Sequence, residues 1–156
     1  MPSLLIVEDD TALAALLEEY LCEAGYVVQL CHHGDTALEI LNRKAFDLVL
    51  SDIKLPGADG MSILKQASGD PSRTLVILMT GFSSFDDTLS AVEQGAYDFV
   101  SKPFQLPEIR VRLDNAARYQ LLLRQLAGRG DSAPSPYLNI SDHAAIRVYG
   151  VQGKAG

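Results

Sequence analysis

Five short apolar runs alternate with stretches of helical periodicity, and this alternation predicts the fold. Runs of this length bounded by turn residues are typical of buried strands. Strands that alternate with single helices pair in parallel through right-handed crossovers, with helices on both faces of the sheet. We therefore predict an α/β fold with a doubly wound, five-stranded parallel sheet. Its strands are Leu4 to Val7, Val27 to Cys31, Leu48 to Ser51 or Asp52, Leu75 to Met79, and Tyr97 to Val100.

The apolar content of each run indicates its place in the sheet. The first, third and fourth runs are apolar throughout, as expected of strands covered on both faces, so we place them at the centre. Gln29 and Asp98 interrupt the second and fifth runs, which suits edge strands. The order 2-1-3-4-5 satisfies both conditions. In that order the switch point, where doubly wound sheets bind ligands, lies between the first and third strands.

Helical periodicity fills the intervals between the strands. We expect the first helix to begin at Asp10 or Thr11, to end at Gly25, and to bury Leu13, Leu16, Leu17, Tyr20, Leu21 and Ala24. The fourth helix is predicted from about Ser84 to Gln94, with Phe85, Leu89 and Val92 facing inward.

The fifth helix, roughly Leu106 to Ala127, is longer than the others, and its second half is rich in leucine. Exposed apolar stripes often mark a partner surface, so we hypothesise a homodimer contact through this helix or a lever to an output module. From Gly128 the sequence GRGDSAPSP has the composition of a linker. We assign residues 1–127 to the domain and 128–156 to a linker and short tail of unassigned role. The leucines expected to be exposed are Leu121, Leu122, Leu123 and Leu126.

Composition narrows the classes of function. The 156 residues suit one domain, and 47% hydrophobic residues are ample for its core. Thirteen basic against twenty acidic residues give a charge of −7, which argues against direct nucleic-acid binding by this chain. No apolar stretch approaches the roughly 18 residues of a membrane span, so we expect a cytoplasmic protein with no membrane contact. Cys22 and Cys31 lack metal-ligand spacing and are interpreted as free thiols.

Charged residues follow three of the predicted strands. Asp52 ends the third strand, and three successive acids from Glu8 to Asp10 follow the first. Like charges held a few ångströms apart repel, and a hard divalent cation relieves that repulsion. We interpret Asp10 as the helix cap rather than a ligand. Lys102, after the fifth strand, brings an ammonium group that could pair with an anion beside the metal.

Two histidines, His32 and His33, follow the second strand. Neither has a carboxylate or cysteine at ligand spacing, so we expect solvated loop residues.

The strand-end motifs VEDD, SDIKLPGADG, LMTG and GAYDFVSKPF together resemble the response-regulator receiver domain of two-component signalling, over about residues 3 to 125. The order 2-1-3-4-5 is the known order of that flavodoxin-like fold. The resemblance implies that Asp52 accepts a phosphoryl group from a sensor histidine kinase or phosphotransfer protein. It also implies that the chain is not an enzyme beyond self-phosphotransfer and autodephosphorylation.

The resemblance further assigns roles within the site. It implies that Glu8, Asp9, Asp52 and the backbone carbonyl of Lys54 hold Mg²⁺. Lys102 would pair with a phosphoryl oxygen, and the Thr80 hydroxyl would donate to another. Thr80 and Phe99 would switch the surface made by the fourth helix, fifth strand and fifth helix.

Three alternative functions compete with this interpretation. A haloacid-dehalogenase phosphatase also uses an aspartate nucleophile after a strand, but it needs a second carboxylate where this chain has Lys54. A flavodoxin needs a phosphate loop after the first strand, where the acids from Glu8 to Asp10 would repel a flavin phosphate. The remaining alternative is a protein-interaction module of the same fold that works without phosphorylation.

Overall fold

The computed structural model describes residues 1–81 and 85–128, and it describes their side chains except for residues 85–88. The described residues form five strands and five helices, as the sequence predicts. In chain order they are β1 Ser3–Val7, α1 Thr11–Glu23, β2 Val27–Cys31, α2 Gly34–Arg43, β3 Leu48–Asp52, α3 Gly60–Ala67, β4 Leu75–Thr80, α4 Phe85–Glu93, β5 Asp98–Ser101 and α5 Leu106–Gly128.

The five strands form one parallel sheet in the order β2-β1-β3-β4-β5, as predicted. The register places Val7 beside Ser51, Asp52 beside Met79, and Thr80 beside Ser101. Strand ends differ from the predicted ends by about one residue. The register therefore brings the carboxyl ends of β1, β3, β4 and β5 to one edge of the sheet.

Alternate residues of the central strands point to opposite faces and build two hydrophobic clusters. One cluster contains Leu4 and Ile6 of β1 together with Leu17 of α1 and Leu113 of α5. The other contains Leu5, Val7, Ile63, Leu64 and Ala91, which come from β1, α3 and α4. Helices thus cover both faces of the sheet, which explains why the central strands are apolar throughout.

Helix α1 begins as predicted, but its buried face is narrower than the sequence pattern. The Asp10 side chain accepts hydrogen bonds from the amides of Ala12 and Leu13, each at 3.1 Å, and so caps the helix. Leu16 is 48% exposed, so its predicted burial is wrong. The small Ala14 lies fully buried instead and lets the helix approach the sheet closely.

Helix α4 shows a similar deviation. Leu89 is 43% exposed although it was predicted to face inward, whereas Ala91 is buried. Val92 is half-buried, and the side chain of Phe85 lies outside the described residues. An apolar residue at helical spacing therefore does not by itself identify the buried face.

The chain divides into two compact units, Met1–Leu121 and Leu122–Gly156. The structure describes residues 122–128 of the second unit, which form the end of α5. Leu122 is 42% exposed and Leu126 half-buried, but Leu123 is buried, so its predicted exposure is wrong. Consecutive helical residues point about 100° apart, and a run of leucines cannot share one face. The predicted linker and tail at 129–156 lie outside the described residues, and the domain boundary near 127 stays a prediction.

Helix length and apolarity also bear on the membrane prediction. Among the helices of the described ranges, none is both long and apolar enough to cross a membrane.

At the amino edge of the sheet, hydrogen bonds from uncharged donors link neighbouring segments of the chain to the residues that precede β3. The amide of Ser3 donates to the Asp47 carboxylate at 2.7 Å, and Gln120 Nε2 donates to the Asp47 carbonyl at 2.8 Å. The Thr74 hydroxyl donates to the Phe46 carbonyl at 2.7 Å. Gln120 is only 3% exposed, and its side-chain nitrogen donates to the carbonyls of Asp47 and Pro71, as a buried polar group requires.

The two cysteines provide a test of the fold. Cys22 is exposed, whereas Cys31 is 4% exposed and its pKa is raised by burial above the usual thiol value. Since the thiolate is the reactive form, we expect iodoacetamide to modify only Cys22 in the folded protein at neutral pH. Mass spectrometry after a short reaction should show one added group, and two in guanidinium. Equal modification of Cys31 in the folded protein would contradict the described end of β2.

Candidate functional site

Four strands deliver charged or polar side chains to the carboxyl edge of the sheet. Glu8 and Asp9 follow β1, Asp52 ends β3, Thr80 ends β4, and Lys102 follows β5. Each apolar strand is held by the core, so the first residue beyond it lies at a defined position along this edge. The predicted site residues of these four strands therefore come from one edge of the sheet, as parallel topology requires.

Three carboxylates form a cluster at this edge. Oxygens of Glu8, Asp9 and Asp52 all lie within 4.8 Å of one another. Glu8 is fully buried and Asp52 is 8% exposed, while Asp9 is exposed. Carboxylates this close repel when ionised, and burial of two of them weakens screening by water. The cluster therefore requires a neighbouring positive charge.

Lys102 supplies a positive charge to two of these acids. Its Nζ lies 2.5 Å from Glu8 Oε1 and 2.7 Å from Asp52 Oδ2. The amide of Lys102 donates to the Thr80 carbonyl at 2.7 Å, which fixes the residue against the end of β4. This ammonium group lies at the edge predicted from the sequence, but its direct bonds to the two carboxylates were not predicted.

Burial and charge shift two pKa values in the cluster. Burial raises the pKa of Glu8 above its ordinary value of 4.5, although hydrogen bonds from Lys102 and the Asp10 amide oppose the shift. Burial alone would lower the pKa of Lys102, but the hydrogen bonds and negative charges of Asp52 and Glu8 outweigh it and raise the pKa. The lysine is therefore held as a cation beside the acids.

Glu8 is held at both its side chain and its backbone. Its Oε2 accepts a hydrogen bond from the Asp10 amide at 3.0 Å, and its own amide donates to the Cys31 carbonyl at 3.0 Å. His32 Nδ1 lies 2.9 Å from the Glu8 carbonyl oxygen.

The interpretation of His32 as a solvated residue is wrong, because its ring is half-buried and bonded, whereas His33 is exposed as expected. The observed register pairs Val7 of β1 with Cys31 of β2, and extending it by one residue places Glu8 beside His32. The sequence predicts that these strands are neighbours but not their register, so it carries no signal for this contact.

The loop after β3 is closed at its base. The Ile53 amide donates to the Met79 carbonyl at 2.9 Å, and the Ile53 carbonyl accepts from the Gly60 amide at 2.7 Å. Lys54 is exposed on this loop, two residues beyond Asp52, and a role for its carbonyl stays a prediction.

The remaining predicted residues lie on β4 and β5. Thr80 is 4% exposed at the end of β4. Phe99 is half-buried on β5 and packs against the cluster that contains Leu5 and Val7. Both positions agree with the predicted placement, and the switching roles stay predictions.

The donor set fits a hard divalent cation. Glu8, Asp9 and Asp52 offer only oxygen, which is the ligand type that Mg²⁺ prefers. Their mutual distances allow one ion to be shared, and the exposed Asp9 leaves the cluster open to water on one side. The acidic triad can therefore bind a metal ion.

Comparison with known proteins identifies the same region. The model of the response regulator receiver domain family matches residues 4–114. The transcriptional activator protein PfeR of Pseudomonas aeruginosa is 40% identical over 132 residues, which are 84% of this chain. The DNA-binding transcriptional regulator NtrC of Klebsiella pneumoniae is 39% identical over 116 residues, which are 74% of this chain. The chain spans 43% of the length of PfeR and 25% of the length of NtrC.

Solved structures agree with the family match. A CheY-like response regulator receiver domain protein from Methanospirillum hungatei superposes with a TM-score of 0.73 at 27% identity, covering 78% of this chain and 97% of that one. The non-phosphorylated HemR receiver domain from Leptospira biflexa gives a TM-score of 0.69 at 30% identity, covering 75% of this chain and 94% of that one. In both cases nearly the whole neighbour is covered.

The raised pKa of Glu8 predicts a pH-dependent stability. Folded Glu8 binds its proton more tightly than unfolded Glu8, so the folded state loses stability as pH rises from 4.5 through the raised pKa. Glu8→Gln removes this loss. In EDTA, we expect the free energy of unfolding of Glu8→Gln, minus that of the wild type, to increase from pH 4.5 toward neutral pH.

Thermal or urea unfolding across this pH range measures the difference. Glu39→Gln, an exposed position on α2, serves as the control and should give a nearly constant difference. If the difference for Glu8→Gln stays constant or falls with pH, the pKa of Glu8 is not raised in the folded protein.

Proposed function

The chain belongs to the response-regulator receiver family of two-component signalling, and we propose that it accepts a phosphoryl group on Asp52 from a phosphohistidine of a sensor kinase or phosphotransfer protein. The observation that carries the proposal is the position of Asp52, the last residue of the buried strand β3. Its carboxylate belongs to the acid cluster and lies 2.7 Å from Lys102 Nζ. Asp52 is buried except for the 8% that remains exposed, and we propose that the donor approaches this exposed part.

The proposed step is an in-line transfer between two nucleophiles. An oxygen of Asp52 attacks the phosphorus, an O–P bond forms, and the N–P bond to the donor imidazole breaks. The imidazole nitrogen keeps the bonding electron pair and takes up a proton. A carboxylate that forms an acyl phosphate in this way is a covalent acceptor, and its later hydrolysis restores Asp52.

Mg²⁺, held by Glu8, Asp9, Asp52 and the Lys54 carbonyl, would neutralise charge on the transferring phosphoryl group. The chain's own residues do the remaining work. Lys102 is held as a cation at this edge and can move from the carboxylates to a phosphoryl oxygen. The Thr80 hydroxyl, at the end of the adjacent strand β4, would donate to a second phosphoryl oxygen.

Activation then requires that the phosphoryl group favour one of two conformations. Moving a population from about 1:99 to 99:1 takes about 5.5 kcal/mol of differential stabilisation. Contacts from Lys102 and Thr80 that form in one state alone would contribute to that difference. We propose that Thr80 and Phe99 carry the change to the surface of α4, β5 and α5, where Arg112 pairs with Asp98 at 2.7 Å.

Partners follow from this assignment. The two curated relatives are named as regulators of transcription, and we propose that this receiver likewise controls an output of that kind through protein contact. The charge of −7 supports the view that the chain itself does not bind nucleic acid. A cytoplasmic location stays a prediction.

Phosphorylation of Asp52 is directly measurable. Incubation with acetyl phosphate or phosphoramidate and Mg²⁺ should add the mass of one phosphoryl group to the wild-type chain and none to Asp52→Asn. Asp59→Asn, an exposed acid that caps α3 seven residues later, should be labelled like the wild type.

Intact-mass spectrometry with and without EDTA gives the result. No labelling of the wild type, under conditions that label another receiver domain, would contradict the proposal. That outcome would favour the phosphorylation-independent interaction module.

The end of α5 supports a separate proposal of self-association. Leu122 and Leu126 stand four residues apart and share one face of the helix. We expect phosphorylation to shift the sedimentation coefficient toward a dimer, and Leu122→Gln with Leu126→Gln to reduce that shift. Arg124 is exposed and lies between these two leucines in the chain, and Arg124→Gln should change the sedimentation shift less. A monomer in every state, unaffected by these substitutions, would exclude a dimer through this helix end.

A further inference from the structure

The segment from His32 to Asp35, which comprises the β2–α2 connection and the first two residues of α2, contacts the backbone on both sides of the acid cluster. On one side it contacts Glu8 at the end of β1, and on the other it contacts the loop that follows Asp52. Neither His32 nor Asp35 is among the residues that the acid cluster or Lys102 uses directly. Their contacts nevertheless go to the two backbone segments from which the carboxylates project.

The position of His32 shows which of its ring nitrogens carries the proton and which group accepts the hydrogen bond. A carbonyl oxygen only accepts hydrogen bonds, so Nδ1, 2.9 Å from the Glu8 carbonyl, must carry the proton. The ring is half-buried, which reduces competition from water for this bond. With the Glu8 amide bonded to the Cys31 carbonyl, both backbone polar groups of Glu8 are held by the end of β2 and its loop.

The start of α2 holds the loop after β3 in a similar way. The Gly34 amide donates to the Pro56 carbonyl at 3.0 Å, and Asp35 Oδ1 accepts from the Ala58 amide at 3.1 Å. Both partners lie on the loop that begins at Ile53 and carries Lys54. These two bonds run in opposite directions and attach the loop to α2.

Steric fit shows that this attachment is close. A Cβ atom at Gly34 would overlap the carbonyl oxygen of Ala58, so only glycine allows the loop to lie where it does. Gly57 has φ +78°, a conformation that favours glycine, and a Cβ there would lie 2.5 Å from Asp35 Oδ2. The loop is therefore in van der Waals contact with the segment at the same place where it is hydrogen-bonded.

We propose that His32 and Asp35 are positioning residues for the metal site: His32 sets the backbone at Glu8, and Asp35 sets the loop that carries Lys54. This inference rests on the proposed function, because it concerns the Mg²⁺ that phosphorylation of Asp52 uses. Hydrogen bonds behind metal ligands commonly alter affinity about 10-fold or more when removed. Without these bonds, Glu8 and the loop would keep fewer contacts with the protein, and part of the free energy of Mg²⁺ binding would be spent on ordering them.

The test compares removal of each hydrogen bond with its conservative replacement. His32→Leu loses the donor, whereas His32→Asn keeps an N–H near the position of Nδ1. Asp35→Ala loses the acceptor, whereas Asp35→Asn keeps Oδ1. Because both Asp35 variants lose the same charge, their difference reports the hydrogen bond. Calorimetric titration with Mg²⁺ alone should show dissociation constants raised about 10-fold in His32→Leu and Asp35→Ala and restored toward wild type in the asparagine variants.

A second measurement and a distant control complete the design. The Mg²⁺ concentration for half-maximal labelling by acetyl phosphate should rise in the same two variants, while labelling at saturating Mg²⁺ should approach that of the wild type. The control is Asp70→Ala, in the loop between α3 and β4. It removes a comparable hydrogen bond, which Asp70 Oδ1 accepts from the Ser72 amide at 3.0 Å. It should lower the unfolding temperature without changing Mg²⁺ affinity.

The outcomes separate this inference from the proposed function. A wild-type chain that binds no Mg²⁺ and takes no phosphoryl group would overturn the proposed function itself. A normal wild type with unchanged affinity in His32→Leu and Asp35→Ala would overturn the positioning role alone. Equal losses in the asparagine variants and in Leu or Ala would also overturn it, because the hydrogen bonds would then not be the cause.

Discussion

The site depends on electrostatic compensation at the carboxyl edge of the sheet. Three carboxylates lie within 4.8 Å of one another, and one of them, Glu8, is fully buried. An uncompensated charge in that position would be costly, so the fold must keep a cation beside it. Lys102 meets this need by bonding to Glu8 and Asp52 together. The same need explains why a divalent ion and a phosphoryl group can share this edge: each changes the balance of charge that the lysine maintains.

Most of the fold could be predicted because the signal is local. Runs such as Leu48 to Leu50 and Leu75 to Met79 have apolar side chains on both faces of the strand. This identifies them as central strands without knowledge of their neighbours. The more polar runs suit the edges of the sheet, and the order 2-1-3-4-5 satisfies this placement and is also the order that the resemblance to the receiver fold implies. Since parallel strands end at a common edge, the sequence alone groups Glu8, Asp52, Thr80 and Lys102.

The buried faces of the helices and the contacts around the site could not be predicted, because they depend on how side chains and loops pack in three dimensions. Helical spacing suggested that Leu16 and Leu89 were buried, but the buried face of a helix is set by the width of its contact with the sheet. The bond of His32 to a backbone carbonyl has no sequence motif. The fit of Gly34 against Ala58 depends on how two loops approach each other, and residues 24 positions apart give no periodic signal of that approach.

The two edges of the sheet are held by different kinds of interaction, and this asymmetry has a mechanical consequence. At the amino edge, uncharged donors such as Ser3, Thr74 and Gln120 bond to fixed oxygens. These donors do not titrate, and none of their bonds includes Glu8, Asp9, Asp52 or Lys102. A change of charge at the carboxyl edge therefore acts first on the loops beside it, whereas the base of the domain is held by bonds that contain none of the groups whose charge changes.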